Sequence, residues 1–151
     1  MIWSISMALA TGCTSATGPG TPLLWVDRSV IELGPVELQQ TVTFSVQLGN
    51  EGGGAVKIEG LEILADGDCA FTVQGPDVVN VTGEQHAFVR GEFSPSTEGR
   101  HQVLLAVLSD DPNQPSLPVV VCATAYSGEP PAGEIPDCIE PPADAKECEE
   151  E

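Results

Sequence analysis

Ala87-Phe88-Val89-Arg90-Gly91-Glu92-Phe93-Ser94-Pro95-Ser96-Thr97-Glu98-Gly99 is followed by the apolar run Val103 to Leu108, by Ser109-Asp110-Asp111-Pro112-Asn113-Gln114-Pro115, and by Leu117 to Ala125. Three strand-like runs are therefore separated by clusters of Pro, Gly and Asp, the residues found where a chain reverses between antiparallel strands. Ala87, Val89 and Phe93 share one face, with Gly91 between them, and Val103, Leu105 and Val107 share the inner face of the next run. In the last run Leu117, Val119, Val121 and Ala123 alternate with Pro118, Val120, Cys122 and Thr124, and Pro118 suits an edge position because it cannot donate to a ladder.

Upstream, Thr41 to Leu48 gives the clearest alternation, with Val42, Phe44, Val46 and Leu48 opposed to Thr43, Ser45 and Gln47. Ala55 to Leu64 alternates too, but its phase slips at Glu59-Gly60, and a bulge at Gly60 restores it. Leu23 to Val26 reads as an edge strand carrying Trp25, and Val30 to Leu33 as a short strand closed by a Gly34-Pro35 turn. Phe71-Thr72-Val73 is another short strand, and Val78 to Thr82 leads into Gly83-Glu84. No helix of convincing length is present. About seven short strands across residues 23–126 predict an all-β, immunoglobulin-like β-sandwich. Aromatics make up only 5% of the chain, so the core must rest on Val, Leu and Ile, with Phe44, Phe71, Phe88 and Phe93 as the larger pieces.

The chain has 151 residues and a formal net charge of −18, from 23 acidic and 5 basic residues. Phosphate binding needs a basic patch, so nucleic acid is excluded as an expected partner. Residues 127–151 are acidic and Pro-rich with few apolar side chains. Such a segment buries too little surface to offset its ordering entropy, so a disordered tail is expected.

Met1 to Ala10 is a short apolar segment followed at once by Thr11-Gly12-Cys13. It is too short for a spanning helix and fits the apolar part of a secretory signal. The small residues before Cys13 resemble a bacterial lipobox, which implies a signal peptide over residues 1–12, Cys13 as the lipidated residue and a tether over residues 13–22 rich in Ser, Thr, Gly and Pro. The expectation is a membrane partner reached through a lipid anchor in a bacterial cell envelope. With Thr14 after the cysteine, the analogy points to the outer membrane of a Gram-negative bacterium.

With Cys13 acylated, Cys69, Cys122, Cys138 and Cys148 can pair in three ways. The pairing favoured here joins Cys69 to Cys122 inside the domain and Cys138 to Cys148 across a short Pro-containing loop in the tail. A zinc site is a poorer use of them, since no Cys-x-x-Cys is present.

The body resembles the ASH (abnormal-spindle/hydin) type of immunoglobulin-like domain found in bacterial proteins described as choice-of-anchor D. The residues that carry the likeness are Leu33-Gly34, Thr41-Val42-Thr43-Phe44 leading to Asn50-Glu51-Gly52, Gly83-Glu84, Phe93-Ser94-Pro95 with Gly99, and Ser109-Asp110-Asp111-Pro112 with Pro115. Leu33 and Ala123 depart from the family's usual Phe and Gly. The resemblance implies a non-catalytic structural or protein-binding module, related in architecture to major sperm protein and pilus-chaperone domains, with no cofactor and no small-molecule substrate. Its expected partner is another envelope protein. The alternative is a chaperone-like module that captures a partner's strand on the Leu117 to Ala125 edge or the Leu23 to Val26 edge.

His86 and His101 have no nucleophile or carboxylate at a catalytic spacing, and His101 is expected to pack. Asp66-Gly67-Asp68 and Asp110-Asp111 offer oxygens of the kind calcium takes, but neither has the twelve-residue pattern of a calcium loop, and Asp, Gly and Pro are what turns require.

Overall fold

A computed structural model describes residues 21–66, 70–133, 138 and 146–147. Among these residues ten strands follow one another: β1 (Leu24–Val26), β2 (Val30–Glu37), β3 (Val42–Asn50), β4 (Ala55–Asp66), β5 (Phe71–Gln74), β6 (Asn80–Thr82), β7 (His86–Phe93), β8 (Gly99–Ser109), β9 (Ser116–Tyr126) and β10 (Lys146–Glu147). They form two sheets. One has the order β1-β3-β7-β5, the other β10-β4-β8-β9-β2, and β6 pairs with β4. The fold is the all-β sandwich that the alternation predicts.

The apolar faces meet between the sheets. Phe44, Val46 and Leu48 of β3 and Ala87, Val89 and Phe93 of β7 are buried against Val103, Leu105 and Val107 of β8 and Val119 and Val121 of β9. Phe93 packs on Phe71 with ring centroids 4.6 Å apart, and Phe44 meets Phe71 edge-on at 6.4 Å. Phe44 lies opposite Gly91 in the β3–β7 register, and its ring occupies the space that a side chain at Gly91 would need. Phe88 does not belong to this core: it faces the other side of β7 and is half-buried.

The phase slip in β4 is a bulge. Ile58 pairs with Ser109 and Gly60 with Leu108, so one extra residue on β4 moves Leu61 and Ile63 onto the face that Val56 and Ile58 occupy. Gly34-Pro35, expected to end β2, is instead a second irregularity inside a continuing strand, with the register shifting between Glu32 and Pro35. Gly34 has a φ of 73°, and Pro35 has no N–H to lose, so together they let β2 absorb the shift and run on to Glu37.

The strand expected at an edge is interior. β9 lies between β8 and β2, because β2 runs parallel to it from Val30↔Val120 to Glu37↔Tyr126. Pro118 precedes the first of these pairs, so the edge reading holds only for the start of β9, before Val120.

Candidate functional site

The motif residues of the turns hold the sandwich together through buried polar contacts. Asn50 Oδ1 accepts the Leu23 and Gly52 amides, while its Nδ2 donates to the Gly54 and Val81 carbonyls at 3.0 Å each. Asp111, fully buried, accepts Leu24 N–H on Oδ2 at 2.9 Å and Asn113 N–H on Oδ1 at 2.8 Å. Asp110 Oδ1 accepts Lys57 N–H at 2.8 Å, tying the same turn to β4. These carboxylates thus serve as turn and strand caps. Of Asp66-Gly67-Asp68, Gly67 and Asp68 lie outside the described residues, and among the described residues no group of three or more His, Cys, Asp or Glu is placed to hold a metal ion.

The two histidines are apart. His101 is buried against the Phe93 ring at 5.3 Å, with Nε2 2.9 Å from the Thr97 carbonyl, which is the expected packing role. His86 is exposed at the start of β7 and meets Trp25 edge-on at 5.9 Å.

The cysteines pair differently from the expectation. Cys122 is bonded to Cys138, with Cα atoms 5.6 Å apart, so neither the Cys69–Cys122 nor the Cys138–Cys148 bridge forms. The cause is the orientation of Cys122. It alternates with Val121 and Ala123 of the core and therefore faces outward from β9, where Cys138 meets it. Cys138 N–H also donates to Glu32 Oε1 at 3.4 Å. Cys13, Cys69 and Cys148 lie outside the described residues.

The most distinctive surface lies on the outer face of the β1-β3-β7-β5 sheet. Trp25, Gly49 and His86 stand in one row across β1, β3 and β7, and the Trp25 ring lies across Gly49, which has no side chain to prevent it. Two residues along β7 is Phe88, with the Arg90 guanidinium 5.6 Å from its ring centroid. Arg90 also reaches Asp77 at 3.7 Å. The result is a half-exposed aromatic surface bearing a cation, in a protein that is otherwise acidic and poor in aromatics. Phe88 and Arg90 alternate with Ala87 and Val89, so the β7 pattern already placed them outside; the Trp25 to His86 contact depends on strand pairing and is not local.

Next to this surface is a groove of about 710 Å³. Arg28 and β2 residues 31–33 form one end, where the chain leaves β1 for the other sheet, and the groove crosses β3, β7 and β5 past Ser45, Arg90 and Gln74, which are in register.

Fold and surface together define an immunoglobulin-like β-sandwich with a candidate binding face on one sheet. No protein-family model matches the chain, and neither does any curated protein. Solved structures do resemble it. A protein of unknown function from Porphyromonas gingivalis W83 matches with a TM-score of 0.60 at 15% identity, over 70% of this chain and 48% of that one, so this chain spans about half of its length. The ASH/PapD-like domain of human CEP192 (PapD-like domain 7) matches with a TM-score of 0.56 at 15% identity, over 85% of this chain and 100% of the domain. The secreted serine protease VesC from Vibrio cholerae matches with a TM-score of 0.50 at 13% identity, over 62% of this chain and 21% of the protease. At these identities the likeness establishes the fold.

Proposed function

We propose that this chain is a non-catalytic immunoglobulin-like module of the ASH, choice-of-anchor D type, displayed on a bacterial membrane by a lipid on Cys13, and that it binds another envelope protein. The observation that carries the binding half is the outer face of the β1-β3-β7-β5 sheet, where Trp25, Phe88 and Arg90 present the residue types enriched at protein interfaces beside an open groove. The anchoring half is supported by the lipobox-like Leu9 to Cys13 and by the Ser, Thr, Gly and Pro tether that follows it.

Strand capture at a sheet edge, the rival reading, has less in its favour. β9 is covered by β2, and in β1 the outward-facing Leu24 amide is already taken by Asp111. A three-residue edge blunted in this way is a poor template for an added strand.

Both halves are tested in a bacterium that processes lipoproteins. The detergent-extracted protein is expected to have an intact mass starting at Cys13 plus acyl chains; a mass that retains Met1 overturns the anchor. A photo-crosslinking residue at Gln47, Ser45 or Thr72 is expected to trap one recurrent envelope protein, and the same residue at Glu59 or Glu62 of β4 is expected to trap none. Equal products from both sets overturn the binding face.

A further inference from the structure

Strand capture is disfavoured at β9 and β1, but a further stretch of edge lies where β1 leaves its sheet. β1 pairs with β3 from Leu24↔Asn50 to Val26↔Leu48. Beyond these pairs Asp27 N–H donates to the Gln47 carbonyl at 3.0 Å, while Gln47 N–H donates to Asp27 Oδ1 at 2.9 Å. A side chain has taken the place of a backbone carbonyl because the chain is turning away to β2 in the other sheet. In an antiparallel strand, alternate residues direct both backbone groups to the same neighbour. Gln47 directs its own toward β1, so Ser45 and Thr43, at the same phase of β3, direct theirs to that side, where neither β1 nor β2 pairs with them. Both are exposed. Phe44 and Val46, at the other phase, turn their backbone groups to Gly91 and Val89 of β7.

This edge borders the groove, where Ile31 and Leu33 of β2 stand near Phe44. An N–H and a C=O at each of Thr43 and Ser45, repeating at the spacing of a strand, are matched by another extended chain. A strand added there continues the line of β1 and sends alternate side chains inward toward Ile31 and Leu33. Charge selects among such strands. Both arginines of the groove already face carboxylates, Arg28 with Asp27 at 3.3 Å and Arg90 with Asp77 at 3.7 Å. Glu32 and Glu92 line the same groove, with Glu92 opposite Thr43, in a chain of net charge −18. A cationic segment is therefore favoured over an acidic one. The open edge of β2 is a poorer template, since Pro35 and the register shift interrupt it. We propose that Thr43 to Ser45 of β3 is a strand-acceptor site, which takes an extended segment of the partner protein whose apolar residues alternate with Lys or Arg. The proposal rests on the reading of this face as a protein-binding surface and adds the form and charge of what binds.

A display library of random linear dodecapeptides, panned on the full oxidised chain, supplies the probe. Retained peptides are expected to alternate apolar with basic residues and to weaken as salt is raised. They are expected to slow exchange of the Thr43 and Ser45 amides at least about tenfold, while the Phe44 and Val46 amides, already in the β3–β7 ladder, change little. Ser45→Pro removes an amide that faces the groove, which an edge position tolerates, and is expected to weaken these peptides at least about tenfold. Ser45→Ala keeps that amide and is expected to bind them as the unaltered chain does. Thermal unfolding checks that Ser45→Pro is folded, and the exchange measurement on the unaltered chain decides alone if it is not. Peptides that are lost in Trp25→Ala yet leave the Thr43 and Ser45 amides exchanging freely overturn the acceptor site while the binding face stands. A library that yields no peptide from either the edge or the Trp25 surface overturns both.

Discussion

The Asp111 carboxylate accepts the Leu24 amide at 2.9 Å, joining residues 87 apart in sequence and linking the β8–β9 turn of one sheet to the edge strand of the other. The contact gives the Ser109-Asp110-Asp111-Pro112 motif a physical reason. Asp110 serves β4 and Asp111 serves β1, so one turn ties down two strands. Asp111→Ala removes a fully buried acceptor and leaves the Leu24 and Asn113 amides without their partner, a loss of about 3 kcal/mol. Asp110→Ala, at an exposed position, is expected to cost about 1 kcal/mol. Urea unfolding of the two variants checks the ranking, and equal losses would remove Asp111 from this role.

Gly91 is a second fixed point. Phe44 reaches Phe71 only because nothing projects from Gly91 beneath its ring. Gly91→Ala is expected to destabilise the protein by about 1–3 kcal/mol through overpacking. Gly60 has open space where a Cβ would stand, so Gly60→Ala is expected to change stability by less than about 0.5 kcal/mol. Thermal unfolding of this pair separates a packing requirement from a general intolerance of side chains at glycines in strands.

The Trp25 ring over Gly49 makes the proposed binding face observable. Gly49→Ala must push the indole off the sheet, so the fluorescence of Trp25 is expected to shift to the red, with His86 and the rest of β7 left in place. Trp3 is the other tryptophan, so a chain starting at Cys13 reports Trp25 alone. An unchanged emission maximum would mean that the ring does not rest there in solution.

What could be read from the sequence was local. Alternation in β3 and the slip at Gly60 each follow from a few consecutive residues, and both are present in the fold. The interior place of β9 was not legible because its parallel partner β2 lies some ninety residues earlier, and nothing in either stretch says that the two pair. Phe88 was assigned to the core on residue type, although its phase against Ala87 and Val89 put it outside. Cys122 repeats the lesson: its alternation with Val121 and Ala123 already pointed it away from the core. The proposed binding face needed the pairing of β1, β3 and β7, which no single stretch encodes.

The bridge between Cys122 and Cys138 constrains the whole reading of the tail, and it can be mapped directly. A protease that cuts after glutamate, but not before proline, places the cysteines on separate peptides: Ile63–Glu84 carries Cys69, Gly99–Glu134 carries Cys122, Ile135–Glu147 carries Cys138 and Cys148–Glu149 carries Cys148. Without reduction, Gly99–Glu134 is expected to travel linked to Ile135–Glu147. If Cys13 is acylated, Cys69 and Cys148 are then the two left to pair, and Ile63–Glu84 is expected to be linked to Cys148–Glu149. A link from Ile63–Glu84 to Gly99–Glu134 would refute this connectivity. The Cys122 and Cys138 positions are 16 residues apart, so on the loop-entropy model Cys138→Ala is expected to lower stability by about 3 kcal/mol. A loss near zero would show that the unfolded chain gains little freedom from breaking the bridge, and that the tail rests on β4 pairing more than on the disulfide.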